Sequence, residues 1–310
     1  MLKEDLSFGS DFGSIAYSVY LPNEANGILL QIAHGMIEER SKYEEFATFL
    51  CESGFTVAVS DHRGHGESVG GKSGDYQVEW GEMGENGFER AVYDLHNLSQ
   101  ILKKRFEPKT FVLLGHSMGS LLSRRYLQLY ENELDALILM GTPSPNIFAP
   151  LGAELCKLFE KFGCYKIGTK AMNFLSLVSF NREFKKRDKS APSYAWLTRN
   201  LKEVEFYKQR EDYRFSFTLN SFRNLFLGLH QVFSPYPQPR RDKLPILFLS
   251  GDDDPCGEFG KGVYKAYRHL ISQGYRNVEL RIYSGARHEL VLEWNKRQIM
   301  QQIQEWLNAQ

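Results

Sequence analysis

Short continuous apolar runs alternate along the chain with longer stretches in which apolar residues recur every three or four positions. "SFGSDFGSIAYSVYLP" reads as a hairpin turning on glycines, with Ile15 to Tyr20 alternating. "GILLQIAHG" (27–35) is a buried strand. In "SKYEEFATFLCESG", Tyr43, Phe46, Ala47 and Leu50 share one helical face, with Ser41 as cap and Gly54 as terminator. "FTVAVSDHRGHGES" is a second buried strand running into a polar, glycine-rich loop. Phe88, Val92, Leu95 and Leu102 form the stripe of a helix that Pro108 stops. "TFVLLGHS", "SMGSLLSRRYLQLYEN" and "LDALILMGTP" continue as strand, helix, strand, with Leu121, Leu122, Tyr126 and Leu129 on the helix face. Such alternation predicts a parallel sheet covered by helices on both sides.

After Pro143 the rhythm breaks. Residues 144–235 carry helical segments and no buried strand. The Pro-rich "SPYPQPRRDKLP" returns the chain, and "PILFLSG" resumes the sheet. A helix ("EFGKGVYKAYRHLISQG"), a strand ("NVELRIYSG") and a final helix ("HELVLEWNKRQIMQQIQEWL", with Ile299, Ile303 and Leu307 in register) complete the pattern. The expected organisation is an α/β core in two parts, 1–143 and 236–310, with a helical cap inserted at 144–235. There is no internal repeat.

Lys+Arg and Asp+Glu are both 38 of 310 residues, so the chain as a whole has no pull toward nucleic acid. The four cysteines form no C-x-x-C pair, which reads as a reducing compartment. With neither an apolar leader nor a run long enough to span a bilayer, the expectation is a soluble, cytoplasmic protein of undetermined oligomeric state.

Chemistry enters at "LLGHSMGS", where Gly115-His116-Ser117-Met118-Gly119 spell G-x-S-x-G between an apolar strand and an amphipathic helix. That context is a nucleophile elbow. The turn forces Ser117 into a strained backbone, side chains at 115 and 119 would collide with neighbouring elements, and the helix N-terminus favours developing negative charge. A serine needs a histidine base and an acid that orients it, following in the order Ser, acid, His. Five of the eight histidines precede Ser117, His230 lies in the insertion and His269 is mid-helix. His288 alone occupies the loop after the last strand, at the C-terminal edge of the sheet. The acid falls in "SGDDDPCG"; chain order says only that Asp252, Asp253 or Asp254 supplies it, and Pro255 biases Asp254 toward extended backbone. An oxyanion hole would use the N–H of Met118 and that of Met36, where His34-Gly35 lets the backbone turn in close.

"HGMIEERSKYEEFATFLCESGFTVAVSDHRGHGES", "GHSMGS", "SGDDDPCG" and "YSGARHEL" together resemble the monoacylglycerol lipase and lysophospholipase group of serine hydrolases in the α/β-hydrolase superfamily. The cap segments "WLTRNLKEVEFYKQ" and "FSFTLNSFRNL" are similar to those of bacterial members. The resemblance implies an α/β-hydrolase fold with a mostly parallel eight-stranded sheet, and hydrolysis of carboxylic esters, often of single-chain lipids. It implies Ser117 as nucleophile, Asp254 as acid through the spacing from Gly251, His288 as base, Met36 and Met118 as oxyanion donors, and no metal or cofactor. One departure stands out: many relatives carry an acidic D-P near the position where this chain reads "KQREDYRF".

In "DHRGHGES", His62 and His65 suit a chelate less well than a loop tied down by Asp61 and Arg63, and the glycine spacing fails the dinucleotide pattern. The cap segments "LGAELCKLFEKFG" and "TKAMNFLSLVSFNREF" could line an acyl pocket. "NREFKKRDKS" holds five basic and two acidic residues, a solvated loop or a contact for an anionic head group or membrane surface. The alternatives are an aminopeptidase of the same fold, a cofactor-free perhydrolase and a non-catalytic binding protein. Serine rather than aspartate at the elbow disfavours dehalogenase or epoxide-hydrolase chemistry.

Overall fold

The computed structural model of the chain describes residues 1–210, 213 and 215–310, leaving aside the side chains of residues 207 and 208. Glu211, Asp212 and Arg214 of "KQREDYRF", the point of departure noted above, therefore lie outside the described residues.

The strands are β1 (Leu2–Gly9), β2 (Ser14–Leu21), β3 (Ile28–Ala33), β4 (Thr56–Ser60), β5 (Gly71–Ser73), β6 (Tyr76–Val78), β7 (Thr110–His116), β8 (Ala136–Met140), β9 (Ile246–Gly251) and β10 (Val278–Tyr283). Eight of them form one sheet in the order β1-β2-β4-β3-β7-β8-β9-β10. β2 runs antiparallel to both neighbours, and every pair from β4 to β10 is parallel. This is the α/β-hydrolase architecture, with crossovers carrying helices to both faces. β5 and β6 form a separate small hairpin. Its three-residue strands have no apolar run to betray them in the sequence.

The central strands feed two cores at once. Phe111, Leu113, Leu137 and Phe248 point into one; Val112, Leu114, Ile138 and Leu247 point into the other. Each fully buried Leu, Ile, Val or Phe contributes about 2 kcal/mol relative to exposure, so register is strongly specified. β2, expected to alternate, is buried on both faces: Tyr17 and Val19 join the first core, Tyr20 the second.

On the first face lie α2 (Gly87–Phe106), α3 (Met118–Tyr130) and α9 (Lys261–Ser272); α1 (Glu44–Glu52) and α10 (Lys296–Asn308) cover the second. Between β8 and β9 come α4 (Ala149–Lys161), α5 (Tyr165–Ser176), α6 (Asn181–Arg187), α7 (Leu201–Gln209) and α8 (Leu219–Val232), with no strand among the described residues. α8 is more than a cover, because Phe222 and Val232 are part of the first core.

Two expectations about ends need correction. Ser41 does not cap α1. It sits inside a 3-10 turn, Arg40–Tyr43, whose cap is Glu39, and α1 starts at Glu44. The final helix starts at Lys296 and not near His288, because Leu290, Val291 and Leu292 are all buried. Three consecutive buried side chains suit a 3-10 turn packed on several sides better than one stripe of an α-helix.

Candidate active site

Ser117 stands between β7 and α3 with φ 52° and ψ −117°, left-handed backbone that non-glycine residues rarely adopt. Its N–H donates to the Met140 carbonyl at 2.9 Å, and its own carbonyl accepts from the Ser120 N–H at 2.9 Å. The flanking glycines leave no alternative. A Cβ at Gly115 would lie 2.3 Å from the Gly119 carbonyl oxygen, and one at Gly119 would lie 2.0 Å from that of Ala33. Met118 is the first residue of α3, so its N–H is among the donors a helix leaves without an internal acceptor.

β9 ends at Gly251, where a Cβ would lie 1.9 Å from the Ala286 carbonyl oxygen. This close approach brings the aspartate run beside the loop carrying His288. The three carboxylates then separate. Asp252 accepts from the Gly285 N–H at 2.5 Å. Asp253 bonds Arg187 at 2.6 Å and Arg287 at 3.4 Å. Asp254, fully buried, places Oδ2 2.9 Å from His288 Nδ1, while its Oδ1 accepts from the Cys256 N–H at 2.9 Å. With Nδ1 donating to the carboxylate, neutral His288 keeps a lone pair on Nε2. Burial disfavours charge on His288, yet the Asp254 carboxylate outweighs it, and the imidazole is held above its usual range.

Three groups hold His288 in place. Its N–H donates to the Trp196 carbonyl at 3.4 Å, its carbonyl lies 3.2 Å from His116 Nε2, and its ring centroid is 4.9 Å from that of Trp196. The contact is part of a longer seam between cap and core. Glu289 N–H donates to Leu197 O at 2.7 Å, Arg287 Nη1 to Ala195 O at 2.6 Å, and Arg199 Nε to Glu293 at 2.9 Å.

The loop after β3 brings His34, Gly35 and Met36 to the same end of the sheet. His34 Nδ1 donates to the Gly35 carbonyl at 2.7 Å and Nε2 accepts from the His62 N–H at 2.9 Å, which fixes its tautomer. The Gly35 N–H donates to Glu38 at 2.8 Å. Glu38 is buried and also accepts from Lys42 and Tyr43, both at 2.8 Å, and faces His116 Nδ1 at 3.2 Å; Lys42 in turn pairs with Glu289. Burial alone would raise the Glu38 carboxyl, but Lys42 and His116 hold it well below the usual range. Sequence reasoning missed this buried ionic cluster. The charge density of "HGMIEERSK" was its one visible sign.

"DHRGHGES" is occupied by structural bonding. Arg63, fully buried, pairs with Asp94 at 2.7 Å and Asp11 at 2.5 Å, and Asp61 pairs with Arg40. Burial drives His62 down to about 3, helped by the neighbouring His65, and drives His65 down to about 4, and both rings spend a nitrogen on backbone carbonyls. They form no chelating pair. Among the described residues, Asp254, Cys256 and His288 bring potential ligand atoms within 4.8 Å of one another. Nδ1 of His288 is committed to Asp254, and burial beside Asp254 pushes the Cys256 thiol up, so the donor chemistry is that of an oriented imidazole rather than a metal cage.

Met36, Ser117, Met118 and His288 all line one cavity of about 1660 Å³, larger than most small-molecule sites. Cap residues supply most of the remaining wall: Ile147, Phe148, Leu151 and Leu155 at the start, Phe226 and Leu229 from α8. Among the described residues, no carboxylate from 144–235 lines it.

The family model described as serine aminopeptidase, S33, matches residues 24–295. A monoacylglycerol lipase of Mycolicibacterium smegmatis is 25% identical over 94% of this chain and 92% of its own. A monoglyceride lipase of Rattus norvegicus is 27% identical over 93% of this chain and 84% of its own. The crystal structure of a thermostable carboxyl esterase from Bacillus coagulans superposes with a TM-score of 0.81 at 24% identity, covering 100% of this chain and 99% of that one, a likeness of fold.

Proposed function

Because the chain belongs to the serine aminopeptidase, S33, family, we propose a specific reaction within it: hydrolysis of single-chain lipid esters such as monoacylglycerols and lysophospholipids. It is a carboxylic ester hydrolase like the monoglyceride lipases it is similar to. The observation that carries the finer reading is one cavity holding Ser117 and His288, with Asp254 at 2.9 Å behind the imidazole and a largely apolar wall.

Ser117 Oγ attacks the ester carbonyl carbon as His288 Nε2 takes its proton. The N–H groups of Met36 and Met118 receive the oxyanion, and Asp254 stabilises the imidazolium. Collapse breaks the bond to the alcohol oxygen, which His288 protonates, leaving an acyl-Ser117. Water then gives His288 a proton, attacks the acyl carbon, and releases the fatty acid as Ser117 regains its hydrogen. The amine of an aminopeptidase substrate would call for an acidic cap residue at the cavity wall, and the described residues offer none. Exposed Ile147, Phe148 and Ile167 on the cap fit transient contact with the lipid surface that delivers such esters.

The test compares p-nitrophenyl acyl esters with aminoacyl arylamides, using wild type and S117A. Ester turnover and fluorophosphonate labelling, both abolished in S117A, are expected. Retained activity in S117A, or arylamide turnover without ester turnover, would overturn the proposal.

A further inference from the structure

Within the ester-hydrolase reading just given, on which this inference rests, the cavity has two chemically different sides. α4 and α8 make one side apolar. The other is the His288 side, where α6 presents Arg182 and Lys185 to the cavity. Phe184 of α6 packs in a cluster with Trp196, whose ring touches His288, and lies beneath the Arg287 guanidinium at 4.5 Å. Arg187 ties the same helix to Asp253 at 2.6 Å. α6 is thus fastened to the loops that carry His288 and Asp254.

Its four cations are not equivalent. Lys186 pairs with Glu183 and Arg187 with Asp253. Arg182 and Lys185 have no carboxylate within 4.0 Å among the described residues, and these are the two that line the cavity. The nearby Lys265 and Glu258 neutralise each other at 2.7 Å. Glu38 and Glu289, which line the cavity next to His288, share Lys42 between them, so the unpaired positive charge of the lining lies on α6, at Arg182 and Lys185.

His288 must reach the oxygen of the departing alcohol, so the alcohol portion of the substrate passes on its side while the acyl chain takes the other. We propose that Arg182 and Lys185 form a head-group site for an anionic, phosphate-bearing alcohol, and that the preferred substrates are lysophospholipids rather than neutral monoacylglycerols. Two cations at a partly apolar wall gain most from an anion that replaces their lost water, and they raise its encounter rate.

Lysophosphatidic acid and the monoacylglycerol of the same short acyl chain differ only by the phosphate. Both are assayed as monomers, without vesicles, on the purified full chain. Wild type is expected to show kcat/KM about tenfold higher for the phosphorylated substrate, a preference that added salt reduces. R182E/K185E should lower that ratio at least about tenfold and R182Q/K185Q by less, while K186E, a single charge reversal on the same helix but off the cavity, keeps it. An unchanged ratio in R182E/K185E, or an equal loss in K186E, overturns the head-group site. So does a preference that appears only when anionic vesicles are added, which would mean surface binding. If wild type cleaves neither substrate, the ester-hydrolase reading itself fails and this inference with it; turnover of both substrates without a charge response sinks this inference alone.

Discussion

The Trp196 indole lies against the His288 imidazole at 4.9 Å between centroids while its carbonyl accepts the His288 N–H at 3.4 Å. A cap residue thus sets the ring plane of the proposed base. Trp196→Ala is expected to lower kcat about tenfold to a hundredfold, since small misplacements of reacting groups are costly. Trp196→Phe, which keeps a ring and the carbonyl, should recover most of it. Steady-state kinetics on a soluble ester decide the matter: equal kcat for all three proteins would show that the indole positions nothing.

The three aspartates give a sharper test. Asp254→Asn should reduce kcat by about four orders of magnitude, the scale seen when a triad acid is neutralised. Asp252→Asn and Asp253→Asn should stay within a few-fold of wild type, because their carboxylates bond Gly285 and the Arg187–Arg287 pair instead. Normal turnover in Asp254→Asn would remove that residue from the mechanism.

The pH dependence follows from the same pair. Asp254 holds His288 above its ordinary value of about 6.5, and protonated His288 cannot accept from Ser117. The acid limb of kcat/KM should therefore lie above pH ~6.5 and move down in Asp254→Asn. The stability sign is opposite to that of a depressed carboxylate. A raised folded value stabilises fully below the unfolded value and is lost as pH rises through the folded one. Thermal melts across that window should show Asp254→Asn losing most at the acidic end.

Glu38 anchors the loop carrying Met36 and is a buried partner of Lys42. Glu38→Ala removes one of the two carboxylates that Lys42 bonds here, Glu289 being the other, and frees the Gly35 N–H, at a cost of about 3 kcal/mol. Its depressed carboxyl contributes stability above the unfolded value and loses it as pH falls through the folded one. Denaturant titration at neutral pH should show the full loss; a change under about 0.5 kcal/mol would mean the cluster is dispensable.

The sheet was largely legible because runs such as 246–251 are buried on every residue, a pattern only a doubly covered strand requires. The ends of α1 and α10 were not, because Glu39 and Leu290–Leu292 act through contacts that a local pattern does not encode. The elbow could be read from its glycines, whose necessity is steric and local. The ionic cluster could not: Lys42 and Glu289 stand 247 positions apart, and only the completed fold makes them neighbours. The aspartate run shows both limits. Chain order left three candidates open, and the fold separates them by burying one beside His288.

The same dependence on distant segments sets a timetable for synthesis. His116, one residue before the elbow serine, bonds the His288 carbonyl 172 positions later, and the strands beside that loop, β9 and β10, are the last to join. A ribosome finishes the elbow while the sheet still lacks its far edge. Until β9 docks on β8 and β10 follows, the serine is only a hydroxyl in a tight turn. Under the proposed mechanism, a nascent chain holds Ser117 without its acid and base until its last quarter has folded.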